Sequence, residues 1–477
     1  MNSNTLAILH NDSYSKASGY YLSMTDSLKQ TRESILSCVL LGENEKQFGM
    51  VSVGPMGLDA PALLPLDKMS RILDVGCGTG DNLDLMFEQG YHALSGIDIA
   101  HDMAKEAKFK NHAEIFCEDV LQFAPKESYD LVFAQAMIHL FPKDMVEDVV
   151  SHLLKLTKHR FYFSTTLHDT GQEGIEQKGT VMRYRSRYTL QEILSLVEKV
   201  LAKDPNLSFH YFTMKDPLGK FWINGIFERR DIKKIYDEDG LLLYRGLHRP
   251  EEMESHQQEF EEMKERVPQP GTIMRYDSAE CFDRVENFIP YCSEKLQALF
   301  TNEKVTKIIT SLLGDRPVLL KDKLNYKLPG AGAFVPHQDA AAGWQQYGDS
   351  HLTFALGIDE ATVENGALYF APGEHKNGLL SPLKTPLSQK IVERLSWRII
   401  PTKPGDALFF DSYTPHYSEA NGSQKARKMA FLTYIASRHG DHREAFFLEK
   451  RKRQPPIDER DPELMLQRDP FGKVVRA

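Results

Sequence analysis

The sequence predicts two domains, an α/β domain with a parallel sheet followed by a sandwich or jelly roll of short strands. A chain of 477 residues is too long for one ordinary core, so two or three domains are expected. Residues 71–166 alternate apolar strand-like runs with amphipathic stretches, which is typical of a parallel sheet with crossover helices. After Pro317 the apolar runs become short and glycine and proline separate them, which is typical of sandwiches and jelly rolls.

The first half contains strand-like runs that helix-like stretches separate in several places. The predicted strands are Arg71–Val75, Ala93–Ile97, Glu114–Cys117, Leu131–Ala134 and Arg160–Thr166. The predicted helices are Asn82–Glu88, Ala100–Lys108 and Val146–Leu156. A further apolar run, Phe221–Phe227, can complete the sheet, and the charged segment Glu228–Asp231 after it indicates a boundary. We therefore expect domains at residues 1–230 and 231–477.

The second half begins with a polar segment, residues 251–315, whose pattern is helical. Runs typical of strands, with frequent turns, follow it. Their predicted bounds are Leu319–Leu328, His351–Ile358, Ala367–Phe370, Ala407–Ser412 and Met429–Ala436. Near the end of the chain, the basic cluster Lys450–Arg453 is interpreted as a solvated surface rather than a targeting signal.

Composition and charge exclude several classes of function. The net charge of −9 argues against nucleic acid as the main partner, because nucleic-acid-binding proteins carry basic surfaces. The five cysteines are scattered without a CxxC pair, which favours a reduced, cytoplasmic protein over a disulfide framework or a zinc site. We see no secretory signal and no apolar run of membrane-spanning length, so no membrane partner is expected. The oligomeric state stays open.

A glycine-rich turn follows the first predicted strand. Gly76, Gly78 and Gly80 let the backbone approach a ligand closely. Asp98 ends the next strand, where an acidic side chain typically binds ribose hydroxyls. The spacing does not match the dinucleotide fingerprint GxGxxG, and no GxxxxGK[ST] segment is present. A glycine-rich turn with no ligand is the alternative to a cofactor site.

The pattern Asp-x-Gly-x-Gly-x-Gly, which begins at Asp74, and the acid at the end of the next strand resemble class I S-adenosylmethionine-dependent methyltransferases over about residues 65–228. The resemblance implies a Rossmann-like fold that binds S-adenosylmethionine. It implies that Asp74 and the glycine loop belong to the cofactor site, with the loop beside the methionine part, that Asp98 holds the ribose and that Asp119 meets the adenine. It also implies that the loop Gln135–Leu140 flanks the site of methyl transfer.

The identity of the methyl acceptor is less constrained. The loop Gln135–Leu140 lacks the Asn/Asp-Pro-Pro-aromatic signature of amino-group nucleic-acid methylases, which favours a small molecule. His139 in this loop is a candidate base, and a structural histidine is the equal alternative. Because methyl transfer from a sulfonium needs mainly proximity and alignment, no catalytic residue has to be present.

The second half carries a set of candidate metal ligands. His337, Asp339 and His416 supply two imidazoles and one carboxylate, which can hold Fe(II) on one face and leave three positions open. Arg427 follows eleven residues after His416 and can clamp a carboxylate with two parallel hydrogen bonds. A zinc hydrolase with the same ligands is the chemical alternative, but it gives Arg427 no role.

The turn residues after His416 predict a hairpin. Asn-Gly at positions 421 and 422 is the strongest short hairpin signal. With these two residues as the turn, His416 faces Arg427 across the hairpin, and Ser418 faces Lys425. The hairpin therefore predicts that the arginine lies beside the third metal ligand.

This half resembles the phytanoyl-CoA dioxygenase family of Fe(II)- and 2-oxoglutarate-dependent oxygenases over about residues 232–456. The resemblance implies a double-stranded β-helix, a cupin-like jelly roll with flanking helices. It implies that His337, Asp339 and His416 hold iron and that Arg427 and Ser418 hold the distal carboxylate of 2-oxoglutarate. The segments that carry it, besides the triad, are Tyr236–Gly240, Asn365–Leu368 and Pro372–His375. Those that look most like the aminoethylphosphonate-hydroxylase branch are Lys323–Gly330, His337–Asp339 and Arg284–Phe288.

Four further residues are weaker candidates. Asn325 lies on a predicted barrel strand and can contact 2-oxoglutarate or substrate, and Trp344 can form a lid; plain packing is the alternative for both. Arg284 and Asn287 can recognise an anionic substrate, and a solvated helix face is the alternative. The presence of the carboxylate of Asp339 favours hydroxylation, or another oxidation, over halogenation, because related halogenases have a small residue there.

The sequence therefore predicts an enzyme with two activities, a methyltransferase and an Fe(II)- and 2-oxoglutarate-dependent dioxygenase. Both would act on a small polar metabolite, with phosphonates and amino-acid derivatives as candidates. One alternative is an oxygenase whose methyltransferase domain only binds S-adenosylmethionine or serves as a scaffold. Another is the modification of a protein side chain. The substrate, the methylated atom and the order of the two steps stay open.

Overall fold

In a computed structural model the chain forms two compact units. The first comprises Met1–Val53 and Asp59–Arg230, and the second comprises Gly54–Leu58 and Asp231–Ala477. The structure describes residues 3–15, 26–58, 62–110, 112–178, 181–265, 273–276 and 282–453. No helix among these residues is long and apolar enough to cross a membrane.

The elements of the first unit follow the predicted alternation of strands and helices. Its helices are α1 (Ser3–Ser15), α2 (Asp26–Leu41), α3 (Glu45–Phe48), α4 (Asp81–Glu88), α5 (His101–Lys108), α6 (Val146–Leu156) and α7 (Leu190–Leu201). Its strands are β1 (Val51–Met56, whose last three residues belong to the second unit), β2 (Ile72–Val75), β3 (Leu94–Asp98), β4 (Glu114–Cys117), β5 (Tyr129–Ala134), β6 (Thr157–Thr166), β7 (Gln172–Lys178), β8 (Val181–Arg187), β9 (Leu207–Lys215) and β10 (Phe221–Arg229).

The sheet of the first unit has the strand order β4-β3-β2-β5-β6-β10-β9. The strands β2 to β6 run parallel, whereas β10 is antiparallel to both β6 and β9. All four residues of β2 are buried, as expected for a parallel sheet covered on both faces. The helix α6 covers it with an apolar stripe in which Val146, Val149, Val150 and Leu153 are buried. This topology confirms the predicted Rossmann-like fold.

The topology also determines where a ligand can bind. The carboxyl ends of parallel strands meet at one edge of the sheet, and ligands bind in the crevice outside that edge. The glycine loop after β2, the last residue of β3 and the segment after β4 therefore come together. Asp98 and Asp119 lie in these segments.

The second unit is built mainly of antiparallel strands. Its helices are α8 (Ile232–Asp239), α9 (Pro250–Glu262), α10 (Glu294–Thr301), α11 (Glu303–Leu313), α12 (Gln389–Arg394) and α13 (Arg443–Arg453). Its strands are β11 (Leu241–Arg245), β12 (Ile273–Tyr276), β13 (Phe282–Glu286), β14 (Pro317–Lys327), β15 (Phe334–His337), β16 (His351–Gly357), β17 (Leu368–Phe370), β18 (Arg398–Ile400), β19 (Ala407–Asp411), β20 (His416–Ser418) and β21 (Arg427–Ala436).

Two antiparallel sheets form the jelly roll of the second unit. The larger has the order β12-β13-β14-β21-β16-β19-β11, and Gly54–Met56 of β1 pairs beside Leu243–Arg245 of β11. The smaller has the order β15-β20-β17-β18. Phe370 of the smaller sheet packs with Phe410 of the larger one at a ring-centroid distance of 5.1 Å. The two sheets thus enclose an apolar core, which confirms the predicted double-stranded β-helix fold.

The prediction that residues 251–315 are helical is wrong in part. The strands β12 and β13 lie between α9 and α10. The sequence of β13 does not show the usual alternation of apolar and polar residues, because one of its faces carries charged side chains. Arg284 and Glu286 occupy this face, and Arg284 Nε donates to Glu286 Oε1 over 2.8 Å. The alternative of a solvated helix face for Arg284 is therefore wrong.

The predicted hairpin around Asn421 is also wrong. A type I′ turn requires positive φ at both central residues, and neither Asn421 nor Gly422 has it. The Asn421 side chain instead donates to the carbonyl groups of Lys327 and Lys425, at 2.8 Å each. These two hydrogen bonds hold the segment that leads from the smaller sheet to the larger one. The strands β20 and β21 lie in different sheets and are not paired with each other.

Candidate active sites

The three predicted metal ligands of the second unit lie together. His337 ends β15 and His416 begins β20, and these two residues are direct partners in the antiparallel pairing of the two strands. Asp339 follows two residues after His337. One nitrogen or oxygen atom from each of the three residues lies within 4.8 Å of the others. His337 and His416 are 79 residues apart in the sequence, and the pairing of β15 with β20 brings them together.

Backbone carbonyl groups orient the two imidazoles. The Val335 carbonyl oxygen lies 2.7 Å from His337 Nδ1, and the Thr414 carbonyl oxygen lies 3.0 Å from His416 Nδ1. A carbonyl oxygen can only accept, so each Nδ1 carries the proton and each Nε2 keeps its lone pair. His337 Nε2 lies 3.9 Å from Asp339 Oδ1. Both rings therefore have the tautomer that a metal ligand requires.

The electrostatics of the triad also suit a divalent cation. Burial, and then the neighbouring His416, lower the pKa of His337 to about 3, and burial lowers the pKa of His416. Burial alone would raise the pKa of Asp339, but Lys321 and Lys323 hold this pKa below its ordinary value. At neutral pH the site has two neutral imidazoles and one carboxylate, the state in which these groups bind metals. The residues present therefore fit Fe(II) with open positions.

A second cluster lies where β14, β20 and β21 approach one another. Arg427 of β21 is the direct partner of Lys327 of β14, and Lys327 Nζ donates to Ser418 Oγ of β20 over 2.8 Å. All three side chains are buried. Arg427 Nη2 donates to the Gly366 carbonyl over 3.0 Å, while its Nε has no hydrogen-bond partner among the described residues. A buried guanidinium whose Nε lacks a hydrogen-bond partner is suited to binding the carboxylate of a ligand.

Arg427 keeps its charge despite this burial. Burial lowers its pKa to about 10, which still leaves the guanidinium protonated at neutral pH. The structure thus brings Ser418 and Arg427 together, as the resemblance implied, although the predicted hairpin is absent. The contact passes through Lys327, which the sequence analysis did not assign. The signal that marks it is the alternation Lys321, Lys323, Asn325, Lys327 along one face of a strand.

The weaker candidates of the second unit have different environments. Asn325 is buried on β14, and its Oδ1 has no hydrogen-bond partner within the described part of the chain. Trp344 is buried in an apolar cluster with Leu320 and Phe446 and does not have the exposed position of a lid. Asn287 Oδ1 accepts from Arg443 Nη2 over 2.7 Å. Among these residues, Asn325 retains the unsatisfied polar group that a ligand can use.

In the first unit the glycine loop and Asp98 form one hydrogen-bonded structure. Gly76, Gly78 and Gly80 have φ values of 69°, 55° and 85°, a region that other residues rarely adopt. Gly78 N donates to Asp98 Oδ2 and Ala100 N donates to Asp98 Oδ1, each over 2.8 Å. Asp98 therefore holds the loop against the end of β3, and each of its oxygens keeps a lone pair for another donor.

This loop borders a cavity of about 820 Å³. Gly76, Gly78, Asp98, Asp119 and His139 line it, whereas Asp74 and Gly80 do not. The volume lies in the range of cofactor pockets. A glycine backbone at positive φ, two carboxylates and a wall that includes Leu6, Ile35 and Ile97 fit S-adenosylmethionine. The cationic residues on the same cavity wall, which the sequence analysis did not single out, are Arg32, Arg183, Arg185 and Lys220.

Replacement of Asp98 is expected to weaken binding of S-adenosylmethionine. Asp98→Ala removes the carboxylate that is predicted to hold the ribose and that accepts from Gly78 N and Ala100 N, and one charged hydrogen bond to the cofactor contributes about 1.5–3 kcal/mol. We expect a Kd roughly 10- to 100-fold higher by calorimetry. Asp98→Asn, which keeps one acceptor, should lose less, and the exposed Asp102→Ala should bind like the unmodified protein. Equal affinities of all four proteins would contradict the assignment.

Asp74 lies directly before the loop, in a buried position that does not line the cavity. It is 1 % exposed, and burial raises its pKa to about 8 from an ordinary value of 3.8. The folded protein therefore retains a proton that the unfolded chain loses near pH 4. Consequently this group makes the free energy of unfolding fall as pH rises between about 4 and about 8.

Asp74→Asn should remove this pH dependence. We expect a higher Tm than in the unmodified protein, with a difference that widens from about pH 5 to about pH 8. The affinity for S-adenosylmethionine should stay within twofold, because Asp74 does not line the cavity. The measurement is thermal unfolding across this pH range beside calorimetry. A large loss of affinity would instead restore Asp74 as a cofactor ligand.

Two family models match the chain. The model described as phytanoyl-CoA dioxygenase matches residues 236–429, and the model described as a methyltransferase domain matches residues 72–160. The matched ranges contain the metal triad and the glycine loop, respectively. Both resemblances stated from the sequence are thereby confirmed.

Some curated relatives are similar to the oxygenase half of the chain, and others are similar to the methyltransferase half. A methylphosphonate hydroxylase from Gimesia maris is 39% identical over 164 residues, 34% of this chain and 62% of the relative. A 2-aminoethylphosphonate dioxygenase from an uncultured bacterium is 37% identical over 209 residues, 42% of this chain and 79% of the relative. A trans-aconitate 2-methyltransferase from Rhodopseudomonas palustris is 32% identical over 89 residues, 18% of this chain and 35% of the relative. The chain thus spans less than two thirds of the first and third relatives.

Proposed function

The chain belongs to the phytanoyl-CoA dioxygenase family through its second unit, and on this basis we propose that it is a bifunctional enzyme of small-molecule metabolism. Its second unit would hydroxylate a small polar metabolite with Fe(II), 2-oxoglutarate and O2. Its first unit would methylate the same metabolite, or a successive intermediate, with S-adenosylmethionine. The proposal rests above all on one observation: a preorganised His337–Asp339–His416 triad lies in the same jelly roll as the buried cluster of Ser418, Lys327 and Arg427.

The residues of the second unit have separate roles in this proposal. The triad would hold iron, which supplies O2 activation coupled to conversion of 2-oxoglutarate to succinate and CO2. Arg427 and Ser418 would bind the distal carboxylate of 2-oxoglutarate, with Lys327 adding a third donor. Asn325, with its unsatisfied Oδ1, would orient the co-substrate or the substrate. Because Asp339 supplies a carboxylate, the proposed outcome is hydroxylation rather than halogenation.

The zinc-hydrolase alternative explains less of the site. A hydrolytic zinc site needs three protein ligands and a water molecule, which the triad can provide. It gives no reason to bury Arg427, whose Nε has no hydrogen-bond partner among the described residues, and a buried cation is costly without an anion. The cluster therefore supports a carboxylated co-substrate.

Methyl transfer would occur in the cavity of the first unit. The glycine loop, Asp98 and Asp119 support the cofactor, and His139 lines the cavity on the side of the loop after β5. His139 is buried, with Thr165 Oγ1 3.4 Å from its Nδ1, so the site would act mainly by alignment of the reactants. The name of the trans-aconitate methyltransferase indicates a carboxylated acceptor for that relative. Of the cationic residues on the cavity wall, Arg185 would suit such an anion here better than Arg183, which Glu176 already binds over 2.6 Å.

The names of two relatives of the second unit indicate phosphonates as their substrates. We therefore rank phosphonates first among small polar metabolites, ahead of amino-acid derivatives. A small-molecule substrate, without nucleic acid or membrane, agrees with the excess of acidic over basic residues. A cytoplasmic location stays part of the proposal.

One experiment tests both activities together. The full chain would be incubated with Fe(II), 2-oxoglutarate, deuteromethyl S-adenosylmethionine and ¹⁸O2 in extract of its native source, and metabolites analysed by mass spectrometry. A small molecule that carries both labels would support a bifunctional enzyme. Oxygen label alone would leave the first unit as a binding module, and label in protein alone would support modification of a side chain. Neither label in any product would overturn the proposal.

A further inference from the structure

Two lysine side chains of β14 lie inside the jelly roll near the metal triad, and the proposed mechanism does not use them. Lys321 and Lys323 are two residues apart, so they lie on the same face of the strand as Asn325 and Lys327, while Asp322 between them faces the other way. Lys321 Nζ lies 3.5 Å from the centroid of the Trp344 ring, and Lys323 Nζ lies 4.7 Å from that of Phe431. Both ammonium groups are close enough to Asp339 to lower its pKa.

Neither of these lysines has an anionic partner in the described part of the chain. No carboxylate oxygen lies within 4.0 Å of either Nζ. Glu286 is the direct partner of Lys323 on β13, but its carboxylate is bound by Arg284 and by Lys450. Burial lowers the pKa of both lysines. Lys321 is buried and Lys323 is half-buried, and a cation removed from water without an ion-pair partner costs free energy, so the pair requires an explanation.

A neighbouring lysine shows how the same fold satisfies a buried cation. Lys428 is also buried, and its Nζ lies 3.1 Å from Asp359 Oδ2 and forms a second ion pair with Glu261. Lys428 is on the outer face of β21, next to Arg427 in sequence. Lys428 thus has two carboxylate partners, whereas Lys321 and Lys323 have none within 4.0 Å among the described residues.

We propose that Lys321 and Lys323 form a subsite that binds the anionic group, phosphonate or carboxylate, of the metabolite oxidised at the metal centre. The inference rests on the proposed function, which it deepens by naming an anion as the substrate class. The position suits the task because a group held near Asp339 keeps the rest of the substrate beside the metal. The rings of Trp344 and Phe431 lie against the two ammonium groups, and such apolar surroundings strengthen the attraction of a cation for an anion.

The subsite is separate from the anchor for 2-oxoglutarate. Lys323 and Lys327 are four residues apart on one strand, which corresponds to about 13 Å. Lys327 is bonded to Ser418 and is the partner of Arg427, so that end of the strand belongs to the co-substrate. Loss of Lys321 or Lys323 should therefore affect the primary substrate and spare 2-oxoglutarate.

The test measures binding and does not depend on turnover. The full chain, loaded with Fe(II) and 2-oxoglutarate without O2, is titrated calorimetrically with methylphosphonate, inorganic phosphate and acetate. Dimethyl methylphosphonate, which carries no charge, is the control ligand for methylphosphonate. We expect at least one anion to bind, and Lys321→Met and Lys323→Met each to weaken it at least tenfold. Lys323→Arg should retain most of the affinity, and the exposed Lys425→Met is the matched control.

Two further readouts separate this proposal from its alternatives. A structural role predicts that Lys321→Met lowers the Tm, whereas removal of an unpaired buried charge should leave the Tm unchanged or raise it. The Kd for 2-oxoglutarate should stay within twofold. Failure of all three anions to bind, unchanged anion affinity in the variants, or an equal loss of 2-oxoglutarate affinity would each overturn the subsite. If anions bind as expected but no metabolite is oxidised, the proposed function fails and the anion subsite remains.

Discussion

Asp339→Ala is expected to abolish succinate formation that depends on 2-oxoglutarate. The variant loses the one carboxylate of the triad and leaves two neutral imidazoles, which cannot hold the cation in a defined geometry. Loss of residues that merely orient a ligand costs about 10- to 100-fold, so loss of a ligand should exceed 100-fold. Iron content and succinate production are the measurements, made on the full chain.

The control for this variant is Glu419→Ala, which removes an exposed carboxylate next to Ser418. It should retain iron and turnover. Both variants should bind S-adenosylmethionine with unchanged affinity, because the glycine loop and Asp98 lie in the other unit. Undiminished succinate formation by Asp339→Ala would exclude this residue as a ligand.

Arg427→Gln is expected to raise the KM for 2-oxoglutarate by about 30-fold or more. Truncation of one partner of a buried charged pair costs about 2–5 kcal/mol. Iron binding should persist, because Arg427 contacts Gly366 and Met429 and none of the triad. Steady-state kinetics with 2-oxoglutarate as the varied substrate gives the value.

Lys425→Gln is the matched control, since Lys425 is exposed and only two residues away. The hairpin prediction would have made Lys425 the neighbour of Ser418, so an unchanged KM in this variant also supports the observed topology. If Arg427→Gln altered turnover without altering the KM for 2-oxoglutarate, the carboxylate anchor would be misassigned. A zinc hydrolase would show no dependence on 2-oxoglutarate in any of these proteins.

The sequence predicts the first unit well because its signals are local. Each parallel strand is a short apolar run, and α6 begins and ends at the predicted residues, Val146 and Leu156. The turn after β2 is marked by glycines that adopt positive φ. The position of Asp98 at the end of β3 then follows from the strand alone. Asp74 is the exception, because burial under the loop depends on packing that no local pattern shows.

The second unit shows where local signals fail. Arg427 and Ser418 each adjoin Lys327, but the hairpin argument that joined Arg427 to His416 is wrong. The Asn421 side chain forms long-range hydrogen bonds to the Lys327 carbonyl, and these override the turn preference of Asn-Gly. Similarly, β14 was predicted as a strand, but the roles of Lys321, Lys323 and Lys327 depend on which strands lie beside it. Register and partner choice come from the whole fold and could not be derived from spacing.

The division of β1 between the two units has a consequence for gene design. Gly54–Met56 supplies the strand beside Leu243–Arg245, although the rest of the second unit begins at Asp231. A gene fragment cut at that residue would encode a jelly roll whose β11 edge has unpaired backbone groups, and such edges promote aggregation. The fragment that encodes the first unit would contain Gly54–Met56 without their pairing partners in β11. Expression of either half alone therefore calls for a rearranged coding sequence, with the short strand appended to the fragment that uses it.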